Sequence, residues 1–551
     1  MRILQKNLKE INLYEIDIDH ITNPAEFRKV LIELFNMVEL LKKENSEQKQ
    51  LIQELRDENN RLKGEKGKPS IKANKEKSSD LSSEMQTKVK KHWLKKGKKE
   101  KIKIDKTVKC TVDRGALPSD AVFKGHDRII SQNIIFKREN TEYLVELYYS
   151  PSEKKTYRGA LPEEYSGYFS RELKAFCTLS YQCLDVTRNK LLSLLRSMGY
   201  EISDGSLNNI LQENSAMWIE EKHDILFAGL SNGVAQTDIT GARVNGKNHY
   251  THIICGQDFT VYSTLPSKSR RDVLMAFMGE PDGGLLYQYN KHTLWLLEHF
   301  NIAETDKQAI SEIFTPNQII QERLFNQIIQ ENIPSLYAKP NMFRRVCDSF
   351  ALAHFYELGL LKILVSDDAP EYELITLIRM LCWIHDARHY KKLNPVFDHH
   401  RKILDNFTTH YWDFYKKLLD YTKNPQHNLV LELQNEFDLL FAPNTNYYDL
   451  DKQINRTLSN KEKLLTVLEY PFLPLHNNLS ELGARRQVRK RDISLHTMTS
   501  LGTKLQDAFM SITQTCLQLN VDVWQYILSR LSNSNQFYLP DLIKSKYCPS
   551  E

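Results

Sequence analysis

Long apolar runs, paired cysteines and a strong charge of one sign are all missing from this chain. Nothing in its 551 residues approaches the roughly 18 apolar residues needed to cross a bilayer. The start, MRILQKNLKEINLYEID, has no signal-like apolar core. A cytoplasmic protein with no membrane partner is therefore expected. Eight cysteines are scattered at 110, 177, 183, 255, 347, 382, 516 and 548 without a CxxC pair. That excludes a secreted disulfide framework and argues against structural zinc. Net charge is only +5, but it is unevenly placed. Residues 66–109 hold 16 lysines against five acidic residues, a local +11 that leaves about −6 for the rest. What is present, 41% hydrophobic and 10% aromatic residues, is enough for two to four globular domains.

Residues 1–65 read as an N-terminal segment with a dimerising coiled coil. Thr22-Asn23-Pro24 is a helix-start signal. In the heptad that follows, a-positions fall on Leu31, Val38, Asn45, Ile52 and Asn59, and d-positions on Leu34, Leu41, Gln48, Leu55 and Leu62. Asparagines at a-sites favour a fixed two-stranded register; the other reading is a lone amphipathic helix packed on its own domain. Residues 66–109 read as a basic flexible linker, either touching DNA phosphates or solvated.

The 110–225 segment reads as a DNA-binding region. Strand-like runs (NIIFKR, YLVELYYS) precede a helical pattern from 171. Two short helices around Gly199, the second capped at Ser203-Asp204, suit either a helix-turn-helix with Gly205–Leu211 in a major groove or an ordinary helical hairpin.

From 233 the apolar period changes to two. GVAQTDITGARV, HYTHIICG and FTVYSTL, separated by Asn-Gly-Lys and Gly-Gln-Asp turns, predict a three-stranded antiparallel meander. A mostly helical stretch (268–358), the strand LLKILVSDD and helices to the end complete the pattern. This order predicts an α/β fold: a ribonuclease-H-like catalytic domain over 226–492, with helical insertions near 275–350 and 373–470 and a C-terminal helical region at 493–551.

Three acids stand in contexts that aim carboxylates at one point. Asp238 lies in a strand, Asp367 at a strand end, and Glu481 on a helix with Asn477 and Asn478 one turn before it. The first and fourth strands can lie side by side, which would bring Asp238 and Asp367 together. Gathered carboxylates repel unless hard cations such as Mg²⁺ or Mn²⁺ neutralise them. A pair of such ions suits phosphodiester cleavage and transfer. Arg485, Arg486, Arg489, Lys490 and Arg491 follow Glu481 and can hold phosphates. Arg388 and His385 are expected to face the site or a phosphate. The i, i+4 pair His385 and His389 resembles a zinc helix only superficially, since Asp386 replaces the glutamate and no third ligand is evident. Aromatics at 407, 411, 414 and 415 read as a core face.

The runs QTDITGARVNGK, SDDAPEY, CWIHDARHYKKL and LHNNLSELGARRQVRKR together resemble the insertion-sequence-66 family of bacterial DDE transposases. The leading coiled coil and TYRGALPEEYSGYFS match as well, so the similarity covers most of residues 30–535. The resemblance implies cut-and-join chemistry at transposon ends, with terminal repeats and target DNA as partners and a homodimer or higher assembly. It also implies two Mg²⁺ (or Mn²⁺) ions on the triad Asp238, Asp367 and Glu481. Asp368 is the rival for Asp367. Two departures stand out: the family's cysteine-based zinc segment is represented only by Cys110, so no zinc is expected, and the Asp238–Asp367 interval is long. Two other readings stay open: a DNA-binding regulator without catalysis, and another metal-dependent nuclease of the same fold.

Overall fold

A computed structural model describes residues 23–62, 103–113, 121–133, 138–162, 165–532 and 537–547. Residues 1–22, most of the lysine-rich tract and the middle of the NIIFKR run lie outside the described residues. Helix α1 (Pro24–Leu62) starts where its capping signal predicts, with Asn23 Oδ1 accepting the Ala25 N–H at 3.0 Å. A small hairpin, β1 (Leu147–Ser150) and β2 (Lys155–Arg158), follows. Three helices, α2 (Arg171–Thr178), α3 (Arg188–Ser197) and α4 (Asp204–Gln212), close a small core of Cys177, Leu191, Leu195, Leu207 and Ile210. Gly199 turns the chain between α3 and α4 at φ +83°, and Ser203 caps α4 by accepting the Ser206 N–H.

Helix α5 (Ser215–Leu230) leads into a five-stranded mixed sheet. The strands β3 (Gly233–Val244), β4 (Lys247–Cys255) and β5 (Thr260–Leu265) form the predicted antiparallel meander. The chain then leaves through α6 (Arg270–Phe277) and short helices between 291 and 337. A two-stranded sheet, β6 (Leu286–Gln288) with β7 (Ile319–Gln321), interrupts this stretch, which sequence periodicity had presented as mostly helical. Strands of three residues are too short to leave a period. Helix α7 (Pro340–Leu358) ends at Gly359, whose φ of +61° suits glycine. It hands over to β8 (Leu361–Ser366), which lies beside β3, as expected, and runs parallel to it.

A fifth strand, β9 (Ile378–Leu381), lies parallel to β8 and corrects the expected helical insertion at 373–470. Its four residues, IRML, carry too little alternation to be read. The sheet order is therefore β5-β4-β3-β8-β9. After α8 (Trp383–Lys391) come the insertion helices α9 (Asp398–Lys423), α10 (His427–Leu440) and α11 (Tyr448–Ser459). Phe407, Tyr411, Phe414 and Tyr415 of α9 face the same core as Trp383 and Phe437, so the aromatic stripe is a packing face.

Helix α12 (Asn478–Ser494) crosses the sheet beside β3 and β4. Helices α13 (Ser500–Leu519), α14 (Val523–Leu531) and α15 (Leu539–Tyr547) finish the described chain. The β8 side chains show the two-sided burial of a central strand: Leu364 faces one large core, Ile363 and Val365 the other. No helix among the described residues is long and apolar enough to cross a membrane.

Candidate active site

The site begins with strand pairing. In the β3–β8 register Gln236 lies opposite Val365, so two residues further on Asp238 and Asp367 come side by side at the sheet's centre. Asp238 Oδ1 accepts the Ile239 N–H at 2.8 Å, and Asp367 Oδ1 accepts the Ala369 N–H at 3.2 Å. Glu481 arrives in the first turn of α12, where the helix dipole favours a carboxylate. That turn lies against β3: the buried Ser480 hydroxyl is 3.2 Å from the Thr237 carbonyl, next to Asp238, and 2.9 Å from the Asn477 carbonyl of its own helix, and donates to one of the two. The sheet thus brings together the three acids expected from sequence. Burial, against the pull of the Ile239 N–H, pushes the Asp238 carboxyl up to about 7, and the negative charges of Asp367 and Glu481 add to the rise.

Glu481 is engaged. Arg388 on α8 donates from Nη2 to Oε2 at 3.1 Å, with the same nitrogen 3.0 Å from Oε1. The same guanidinium donates from Nη1 to His385 Nε2 at 2.9 Å. An arginine only donates, so His385 Nε2 must be the acceptor, which requires a neutral ring. Burial and the Arg388 charge also hold the His385 pKa below its ordinary value. The neighbouring motif residues anchor α8. Trp383 is fully buried and donates its indole N–H to the Leu464 carbonyl at 3.0 Å. Asp386 accepts from Tyr411 and Thr457, and burial pushes it up to about 6.

Asp367 and Asp368 separate cleanly. Asp368 is paired with Arg456 on α11 and lies 3.7 Å from His389 Nε2. The hydrogen bond with His389 and the Arg456 charge hold its carboxyl well below the usual range. Asp367 is left facing Asp238. Its turn is fixed by Arg379 of β9, which donates to the carbonyls of Asp367 at 2.7 Å and Ala369 at 2.9 Å, and to Ser366 Oγ at 3.0 Å. Arg379 was invisible to sequence reasoning because its strand was.

Several residues expected to grip DNA serve the fold instead. Arg486 forks onto Asp185 and also donates to the Cys183 carbonyl. Lys490 is buried, donating to the Tyr181 carbonyl at 2.9 Å and sitting 3.2 Å from Asp185. These two tie α12 to the turn after α2, because a helix face that crosses a sheet has little solvent left to offer. Arg491 donates to the Gly241 carbonyl at 2.5 Å. Arg489 is exposed, Arg485 and Asn478 are half-buried and Asn477 is buried.

Among the described residues, no three His, Cys, Asp or Glu side chains are already gathered tightly enough to hold a metal ion. The donor chemistry fits a hard divalent cation nevertheless. Asp238 and Asp367 are adjacent oxygen donors, and burial first, then the charges of Asp367 and Glu481, raises the Asp238 carboxyl. Glu481, by contrast, is already ion-paired with Arg388.

Among known proteins, one from Sinorhizobium fredii (strain NBRC 101917 / NGR234), named only as uncharacterized protein y4jO, is similar. It is 28% identical over 321 residues, covering 57% of this chain and 97% of that protein. No family model matches the chain, and no solved structure matches it.

Proposed function

We propose that the chain is a metal-dependent DNA strand-transfer enzyme of the DDE type, similar to the insertion-sequence-66 transposases, working on a ribonuclease-H-like core. One observation carries this reading: Asp238 on β3 and Asp367, one residue past the end of the adjacent parallel strand β8, come together at the middle of the sheet, with the first turn of α12 bringing Glu481 against them. Numbered along the chain, the sheet order is 3-2-1-4-5 with only the second strand antiparallel to the first, which supports a ribonuclease-H-like assignment.

Asp238, Asp367 and Glu481 are the residues that would hold two Mg²⁺ or Mn²⁺ ions. Bound there, such ions supply an activated water or 3′-hydroxyl and stabilise the leaving oxygen. The protein's part is positioning. Strand pairing fixes Asp238, Arg379 fixes the turn bearing Asp367, and α12, lying against β3, carries Glu481. Arg388, a third exposed, and the exposed Arg489 are the cations best placed to meet a phosphate. The partners are transposon ends and target DNA, and the working assembly is a dimer or larger.

The test is nicking and end-joining of supercoiled DNA by purified protein with Mg²⁺. Asp238→Asn, Asp367→Asn and Glu481→Gln should each reduce both steps by at least about 10³-fold while DNA binding persists. Undiminished cleavage in any of them removes that residue from the triad. Cleavage without joining would mark a nuclease, and tight binding with neither step a regulator.

A further inference from the structure

Arg388 bonds directly to Glu481 of the proposed triad, and its geometry suggests more than charge balance. Its Nη2 lies within 3.1 Å of both Glu481 oxygens, while His385 braces Nη1 from one turn earlier on the same helix. Two other nearby cations are committed elsewhere: Arg456 to Asp368, and Arg379 to the Asp367 turn and Glu373.

We propose that Arg388 gates the acid cluster: in the resting protein its guanidinium stands on Glu481 in place of a divalent cation, and it releases Glu481 when a nucleic-acid phosphate offers it a better partner. This rests on the metal-dependent reading above and adds a competition to it. A guanidinium 3.0 Å from Glu481 opposes the arrival of a doubly charged ion at the same oxygens. Release is sterically open, since Arg388 remains a third exposed, and a phosphate oxygen accepts a charge-assisted bond from a guanidinium as a carboxylate does. A second observation indicates a site that is incomplete at rest. Asn477, one turn before Glu481 and only 1% exposed, has neither carboxamide atom hydrogen-bonded, and His385 Nδ1 is likewise buried without a partner. Buried polar atoms of this kind normally find partners.

The gate makes metal affinity depend on DNA. Mn²⁺ binding to the full-length protein is measured by calorimetry or electron paramagnetic resonance, without DNA and then with a short duplex. Native protein should bind Mn²⁺ weakly alone and at least about ten-fold more tightly with duplex. Arg388→Gln should bind about ten-fold more tightly than native without DNA and lose the duplex effect. Adding Glu481→Gln to that variant should cancel the gain. Equal or weaker Mn²⁺ binding by Arg388→Gln overturns the gate. If Asp238→Asn abolishes binding in the same assay, the gate alone falls. If Asp238→Asn binds Mn²⁺ like native, the metal site itself falls and takes the gate with it. Should Arg388→Gln fail to fold, Arg388→Lys keeps the charge without the guanidinium and should bind with intermediate affinity; no change from native overturns the proposal.

Discussion

At the scale of single residues, Asp238 is the most informative side chain, because its proton couples the acid cluster to both stability and pH. Its carboxyl is raised from 3.8 to about 7. A carboxyl whose pKa is higher in the folded than in the unfolded chain prefers its proton in the folded state. Its contribution to stability is therefore complete below the ordinary carboxylate range and is lost as pH climbs from about 4 to 7. Asp507 (about 7) and Asp386 (about 6), both raised by burial, act with the same sign. In EDTA the native protein should lose thermal stability over that interval. Asp238→Asn should lose less, melting a few degrees above native at pH 8 and level with it at pH 4. Parallel melting curves at both pH values would mean that Asp238 is not held protonated. At this scale much was legible, since Asp238, Asp367 and Glu481 each carried a local pattern. The division of labour between Asp367 and Asp368 was not, because Arg456 and His389, which claim Asp368, come from separate helices. The arginines after Glu481 misled for a related reason: residue type alone does not tell whether a cation meets solvent or a buried Asp185.

At the scale of elements, α12 and α13 show how helices finish a sheet whose edge the sequence left open. Edge strand β5 has outward N–H groups on Thr260, Tyr262 and Thr264. Helix α13 answers them with Thr515, Ser511 and Asp507 at 3.2, 3.0 and 2.7 Å. Two strand residues advance about 6.6 Å and four helix residues about 6 Å, so every fourth side chain meets every second N–H. The edge is thereby closed to other chains. Helical periodicity announced α13 but not its partner, since polar residues at i, i+4 and i+8 read equally well as a solvated face. Helix α12 reaches the sheet through Gly483, where an added Cβ would lie 2.8 Å from Ile253 Cγ2. Gly483→Ala should therefore lift the helix turn carrying Glu481 away from β3. Overpacking of this kind costs about 1–3 kcal/mol. The expected signature is a modest loss in melting temperature beside a loss of cleavage of at least about ten-fold, because the helix must shift where Glu481 is positioned. A variant with native cleavage would show that the triad tolerates movement of α12.

At the scale of the whole molecule, α1 reconciles two readings that sequence had left as alternatives. The helix does pack on its own chain, but not through its heptad seam. Glu39, buried, accepts the N–H groups of Val396 and Phe397 at 2.7 and 3.2 Å and approaches His400 at 3.2 Å. Phe35 stacks on Phe397 at 4.2 Å, and Asn36 meets the backbone at Asn446 and Tyr448. These contacts join α1 to the insertion at the entrances of α9 and α11. Heptad positions Leu34, Val38, Leu41, Ile52 and Leu55 stay 42–61% exposed on another face. Past Glu44 the helix continues for roughly 27 Å at 1.5 Å per residue. A second copy is the occupant we propose for such a stripe, since Val38 and Ile52 at a with Leu34, Leu41 and Leu55 at d favour a two-stranded coil and Asn45 and Asn59 would set its register. The two faces predict separable defects. Leu41→Glu with Leu55→Glu should convert a dimeric mass in light scattering to a monomeric one, with the monomer's tertiary structure retained because both side chains are at least half exposed. Phe35→Ala should leave the mass dimeric while loosening α1 from the insertion, seen as faster amide exchange near 396–400. A dimer surviving both glutamates would move the interface off α1 and reduce the helix to a strut for the insertion.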